Sequence, residues 1–240
     1  MNGERERGVG KDGLLKAVQV KICGLMDEVQ AVRCAEMGAD AIGLVFFPRS
    51  PRNVSNEQAS AICRALSPSV CPVGVFVNES YDTIMRRVAF CGLRGVQLHG
   101  SEPPDLVERL RHQGLVVVKA LFVNGCPSPA EASQYLASAF LVEAAGGPLP
   151  GGNALNWDWA AVHDLARKVP TVLAGGLSAD NVQEAIHAAR PHAVDVSSGV
   201  EASPGLKGLD KVKLFLARVR ELNGIAFSSD GVFHPAGVIC

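Results

Sequence analysis

The sequence predicts an α/β chain folded as a single closed (β/α)8 barrel, and three observations carry that prediction. Eight short apolar, β-branched runs recur along the 240 residues, each followed by room for a loop and a three-turn helix. Several runs are continuously apolar, as strands covered on both faces must be, and Ala41-Ile42-Gly43-Leu44-Val45-Phe46-Phe47 is the plainest. An open doubly wound sheet would lead one to expect a glycine-rich dinucleotide fingerprint after the first strand, and Cys23-Gly24-Leu25-Met26 is not one.

Taken in order, residues 1–16 are charged and glycine-containing with no apolar core, which makes them a flexible N-terminal extension and not a secretory signal. The barrel domain spans 17–222. Its strands are expected at Val18–Cys23, Ala41–Phe47, Val73–Val77, Gly95–Leu98, Leu115–Phe122, Ala139–Glu143, Thr171–Ala174 and Ala193–Val196. A helical pattern runs from Asp27 to Met37. Ser55-Asn56-Glu57-Gln58 is a capping box opening a helix over Asn56–Leu66, and Ser178 or Asp180 is the expected N-cap of a helix ending at Ala189. The eighth helix falls at Leu209–Leu222, leaving 223–240 as a glycine-containing C-terminal tail.

Composition narrows the function. With 48% hydrophobic and 20% charged residues a sizeable core is available, while a net charge of −1 gives no electrostatic reason for nucleic acid or a membrane as partner. No apolar run is long enough to span a bilayer. The seven cysteines are odd in number, scattered and free of any Cys-x-x-Cys pair, the pattern of reduced thiols in a cytoplasmic protein without a disulfide framework or a metal site.

A parallel barrel gathers its chemistry at the carboxyl ends of its strands. There stand Cys23, then Arg49 and Arg52, Asn78, Gln97 with His99, Glu143, Gly175-Gly176, and Asp195 with Ser197-Ser198-Gly199 and Glu201. Gly175, Gly176, Ser198 and Gly199 carry little side-chain bulk in the loops after strands 7 and 8, which frequently hold a phosphate in such barrels; the competing reading is of tight turns only. Arg52 offers a fork for a carboxylate, and the competing reading of either arginine is a solvated loop charge. His99 is a site residue or a satisfied rim histidine. Asp195 is a carboxylate placed to accept hydrogen bonds from sugar hydroxyls. Cys23 and Glu143, a thiol and a carboxyl facing one cavity from different sides, suit proton transfer from one substrate atom and to another. A lone cysteine is otherwise more often small apolar filling, and acyl transfer is disfavoured because no histidine follows Cys23 in its own loop.

With these strand ends in place, the chain resembles the phosphoribosylanthranilate isomerases of tryptophan biosynthesis from about Val18 to Leu222. The motifs are Val-Lys-Ile-Cys-Gly-Leu at 20–25, Gly-Ala-Asp-Ala-Ile-Gly-Leu-Val-Phe-Phe-Pro-Arg-Ser-Pro-Arg at 38–52, Val-Gly-Val-Phe-Val-Asn at 73–78, Val-Gln-Leu-His-Gly at 96–100, Ala-Gly-Gly-Leu at 174–177 and Val-Asp-Val-Ser-Ser-Gly-Val-Glu at 194–201. The resemblance implies an Amadori rearrangement, from aminoaldose to aminoketose, without metal or organic cofactor and with a small phosphoribosyl compound as the partner. It implies Cys23 as general base, Arg52 on the anthranilate carboxylate, Asp195 on the sugar and the Gly176 and Ser198-Gly199 loops on the phosphate. Monomer and homodimer both stay open.

One departure stands out. Where the family carries a general-acid aspartate after Leu-Leu, this chain reads Leu141-Val142-Glu143, and the downstream glycine motif reads Gly151-Gly152-Asn153-Ala154 before Trp157-Asp158-Trp159. Two alternatives therefore accompany the isomerase reading. One is a diverged phosphosugar isomerase with another substrate, such as the aminoimidazole carboxamide ribonucleotide of the histidine pathway. The other is a non-catalytic phosphoribosyl-binding barrel.

Overall fold

The computed structural model describes residues 17–146, 157–222 and 231–233. The N-terminal extension, the Gly151–Ala154 motif and most of the tail lie outside them. Eight strands, β1 (Gln19–Cys23), β2 (Ala41–Phe46), β3 (Cys71–Phe76), β4 (Gly95–Leu98), β5 (Val116–Val123), β6 (Ala139–Ala144), β7 (Thr171–Leu173) and β8 (Ala193–Val196), pair in sequence order and close into a barrel. All these pairings are parallel. The closure sets Lys21 opposite Asp195 between β1 and β8, and Cys23 opposite Gly43 between β1 and β2. Both registers return in the site.

The outer helices are α1 (Glu28–Glu36), α2 (Asn56–Ala65), α3 (Tyr81–Cys91), α4 (Pro104–Arg111), α5 (His163–Ala166), α6 (Val182–Ala189) and α7 (Leu209–Arg220). The capping box of α2 forms in both directions: Ser55 Oγ accepts from the Gln58 N–H at 3.2 Å, and Gln58 Oε1 accepts from the Ser55 N–H at 2.9 Å.

Three expectations need correction. Between β5 and β6 the connection is a 3-10 turn at Pro129–Gln134 in place of a three-turn helix. Between β6 and β7, α5 is a single turn preceded by another 3-10 segment at Trp159–Val162. The N-cap of α6 is Asn181, neither Ser178 nor Asp180. Its Oδ1 accepts from the Ser178 N–H at 2.8 Å and its Nδ2 donates to the Gly176 carbonyl at 2.8 Å, so the residue before the helix is spent on shaping the loop after β7.

The main core lies between strands and helices, with Ile22, Ile42, Leu44, Phe76, Leu98 and Phe215 buried there. A second cluster fills the barrel, from Ala41, Cys71, Val116 and Ala193 at the strand starts to Leu141 and Val172. Part of the C-terminal tail belongs to it. Val232 and Phe233 are buried in this cluster, and the Phe233 N–H donates to Gln19 Oε1 at 3.1 Å, so the tail closes the floor of the barrel at the end away from the strand-end loops.

Candidate active site

The carboxyl ends of the strands enclose a cavity lined by Cys23, Arg52, Gln97, His99, Glu143, Gly175, Gly176, Asp195, Ser197, Ser198 and Gly199, with Val45, Phe47 and Val75 as an apolar wall. Of the strand-end residues anticipated from the sequence, Asn78 and Glu201 stand outside this lining and the rest, apart from one arginine, are at one cavity. Of the two arginines after β2, Arg52 lines it and Arg49 does not.

Cys23 is the last residue of β1 and is buried. It can lie there because its partner in register is glycine. A Cβ on Gly43 would stand 2.7 Å from Cys23 Sγ and 3.0 Å from Lys21 Nζ, closer than an ordinary side chain tolerates. Lys21, two residues back on the same face, is 1% exposed and donates to Asp195 Oδ2 at 2.8 Å. Burial acts to lower the Lys21 pKa, but the Asp195 carboxylate and the sulfur outweigh it, and the net direction is upward. For Cys23 burial is the largest effect and pushes the thiol up, while Lys21 pulls it down. The other oxygen of Asp195, Oδ1, is buried without a hydrogen-bond partner among the described residues, a costly arrangement for a carboxylate at a cavity wall.

Facing this group, Glu143 Oε1 lies 2.9 Å from His99 Nε2, and His99 Nδ1 lies 2.9 Å from Gln97 Nε2. All three side chains are buried, and both ring nitrogens of His99 are engaged. His99 is thus a holder of Glu143. A buried ion pair fixes the loop that carries it: Lys119 donates to Glu102 Oε2 at 2.8 Å and to the Gly100 carbonyl at 2.6 Å, and Glu102 Oε1 accepts from the N–H groups of Asn78 and Gly100. Asn78, a strand-end residue in the sequence, serves this clamp; its Oδ1 accepts from the Ser101 N–H.

Arg52 is buried with its Nε and Nη2 on the two oxygens of Glu201, at 2.7 and 2.8 Å. That edge of the fork is taken by the protein itself, so a ligand carboxylate would meet the other edge, the two N–H groups of Nη1 and the second N–H of Nη2. Lys207 also donates to Glu201, at 2.8 Å, and to Ser197 Oγ at 3.3 Å. Burial would raise the Glu201 carboxyl, yet the hydrogen bonds from Arg52 and Lys207 prevail and hold it down at about 2. Two cations share one carboxylate here, which leaves the cluster positive beside the cavity.

The glycine loops are built for close approach. Gly175 and Gly176 adopt φ values of 82° and 70°, and a Cβ on Gly199 would stand 1.9 Å from the Leu177 carbonyl oxygen. Backbone, and not side chain, therefore faces the cavity at these three positions. Lys21 and Lys207 were missed by strand-end reasoning, the first because it precedes the strand end and the second because it sits on β10 (Leu206–Lys207), paired with β9 (Glu201–Ser203) outside the barrel. A charged residue inside the apolar run of β1 was the available signal for Lys21.

A family model for N-(5'-phosphoribosyl)anthranilate isomerase matches residues 20–218. The chain belongs to the N-(5'-phosphoribosyl)anthranilate isomerase family. The isomerase of Desulfatibacillum aliphaticivorans is 49% identical over 216 residues, covering 90% of this chain and 99% of that one. Among solved structures, a phosphoribosyl anthranilate isomerase in complex with reduced 1-(o-carboxyphenylamino)-1-deoxyribulose 5-phosphate superposes with a TM-score of 0.75 at 37% identity, covering 85% of this chain and all of that one. Monomers derived from the dimeric phosphoribosylanthranilate isomerase of Thermotoga maritima give a TM-score of 0.76 at 38% identity, with the same coverage. Isomerase relatives and the eight-stranded barrel thus agree. Among the described residues no helix is long and apolar enough to cross a membrane.

Proposed function

We propose that the cavity isomerises N-(5'-phosphoribosyl)anthranilate to 1-(o-carboxyphenylamino)-1-deoxyribulose 5-phosphate, with Cys23 as general base and Glu143 as general acid. The observation that carries these roles is the placement of the two groups. A thiol on β1 and a carboxyl on β6 line one cavity, each with its own buried partner, Lys21 for the first and His99 for the second.

The steps follow from the chemistry of the substrate. Glu143 gives a proton to the ribose ring oxygen, the C1'–O bond breaks, and the nitrogen lone pair forms a protonated imine. Cys23 takes the proton from C2', and that bonding pair becomes the C1'=C2' double bond while the imine pair returns to nitrogen. The enolamine then gains a proton at C1' and loses one from the C2' hydroxyl, giving the ketone. Arg52, through its Nη1/Nη2 edge, holds the anthranilate carboxylate, and Asp195 Oδ1 accepts from the sugar. Gly175, Gly176, Ser198 and Gly199 present backbone to the phosphate, with Lys207 beneath the loop adding positive charge. His99 acts through Glu143 by holding it.

Turnover of freshly generated substrate by the purified protein, beside Cys23→Ala and Glu143→Ala, tests the assignment. Each variant is expected to lose about 10²-fold or more in kcat, the usual contribution of a positioned acid or base. Near-normal turnover in either would remove that residue from its role.

A further inference from the structure

We propose that Lys21 is the positioning residue for Cys23: its ammonium, anchored by Asp195 beside the sulfur, supplies the positive charge that favours the thiolate over the neutral thiol. The inference rests on the reading of Cys23 as a base and extends it to a buried cation that the proton-transfer scheme does not otherwise use.

Three observations on separate elements converge. Along β1, Lys21 and Cys23 stand two residues apart and point to the same face. Across to β2, Lys21 Nζ and Cys23 Sγ both crowd the point where a Cβ on Gly43 would be, at 3.0 and 2.7 Å, so cation and sulfur share the space that the missing side chain leaves. Across to β8, Asp195 Oδ2 takes the Lys21 ammonium at 2.8 Å, in the register that sets these two residues opposite one another. A lysine with 1% exposure is expensive to bury unless its charge is used, and one carboxylate oxygen uses one of its three protons.

The surroundings of the thiol set the problem that Lys21 answers. Burial opposes the thiolate, and so does the Asp195 carboxylate; Lys21, Lys207 and Arg52 favour it, from β1, β10 and the loop after β2. Of these, Lys21 is the one that shares with the sulfur the space over Gly43. Burial prevails, so the net direction for the thiol is upward, and the neighbouring ammonium limits that rise and eases removal of the proton in a dry cavity.

The test reads the thiol without substrate, so it stands or falls separately from turnover. The rate of Cys23 alkylation by iodoacetamide is followed against pH by mass spectrometry of the Cys23 peptide, which excludes the other cysteines. The comparison is between the wild type, Lys21→Gln and Lys21→Arg. The glutamine can still donate to Asp195 but has no charge, and its alkylation midpoint is expected to rise by about one pH unit or more, while arginine stays near the wild type. A glutamine midpoint equal to the wild-type value overturns the proposal, as does an arginine midpoint that rises as far as the glutamine one. If Lys21→Gln fails to fold, the double variant Lys21→Met/Asp195→Asn leaves no buried charge unpaired. Its midpoint is expected still to rise, since the neighbouring ammonium outweighs the carboxylate behind it, and an unchanged or lower midpoint overturns the proposal. A shifted midpoint with no turnover of the phosphoribosyl substrate would keep the Lys21 assignment and remove the isomerase reading.

Discussion

Replacing Glu143 by aspartate restores the residue that the family resemblance leads one to expect, and it is expected to make this protein worse. Glu143 Oε1 now meets His99 Nε2 at 2.9 Å. Removing one methylene withdraws the carboxylate along its own chain by about 1.5 Å, roughly the length of a carbon–carbon bond. The contact with His99 then opens to about 4 Å, beyond the range of a hydrogen bond. The ring cannot follow, because its other nitrogen is held by Gln97 at 2.9 Å and its loop is clamped by Lys119 and Glu102. A reacting group displaced by about 1 Å costs on the order of 10²-fold in rate, which corresponds to about 2.7 kcal/mol of barrier. The assay is steady-state turnover of N-(5'-phosphoribosyl)anthranilate, with kcat and KM separated. The loss is expected in kcat, since the acid acts on the ring oxygen in the transition state. An aspartate variant as fast as the wild type, or faster, would refute the argument that His99 and the cavity are fitted to the longer side chain.

Further predictions concern the buried charge cluster, the tail and the crowded strand end. Glu201 is held at about 2 against an ordinary 4.5 for a glutamate, so its folded value is the depressed one. Its stabilisation is therefore complete above about pH 4.5 and is lost as pH falls toward 2; the gap amounts to at most about 3 kcal/mol. Urea unfolding of Glu201→Gln beside the wild type is expected to show a deficit of that order at neutral pH that narrows as the pH is lowered through this window, and a deficit independent of pH would contradict it. Phe233→Ala empties part of the barrel floor and is expected to cost about 3 kcal/mol by denaturant melting, the range for a buried phenylalanine, with kcat unchanged because the floor lies at the opposite end from the strand-end loops. Unchanged stability would mean that the tail does not pack there in solution. Gly43→Ala inserts a methyl 2.7 Å from the Cys23 sulfur and is expected to lower kcat about 10-fold or more while the barrel still unfolds cooperatively; full activity would contradict the close packing.

The barrel was legible because its signals are local and repeated. Continuous apolar runs such as Ala41–Phe47 mark strands covered on both faces, and Ser55 with Gln58 writes the start of α2 into four residues. The fold departs from the repeat around Pro129–Gln134 and α5, where room for a three-turn helix in the sequence does not by itself produce one. The α6 cap shows the same limit. Ser178 and Asp180 are the acceptable caps in sequence, yet the helix starts after Asn181, whose side chain makes no capping bond and holds the Gly176 loop instead.

The cavity residues were legible by type and by strand end, from Cys23 through Glu143 to Asp195. Their partners were not. That Arg52 spends one edge on Glu201, that His99 is shared between Gln97 and Glu143, and that Lys21 reaches Asp195 all depend on which side chains the closed ring brings face to face. The pairing of Lys21 with Asp195 spans 174 residues of sequence. Only the closing of β8 on β1 makes them neighbours.

The most direct test of the account is turnover of two phosphosugars by the purified wild-type protein under one set of conditions, N-(5'-phosphoribosyl)anthranilate and the aminoimidazole carboxamide ribonucleotide of the histidine pathway. The account predicts conversion of the first to its aminoketose, abolished by Cys23→Ala, and none of the second. Conversion of the second alone would contradict the substrate assignment, and conversion of neither would contradict the claim that this cavity is an isomerase site.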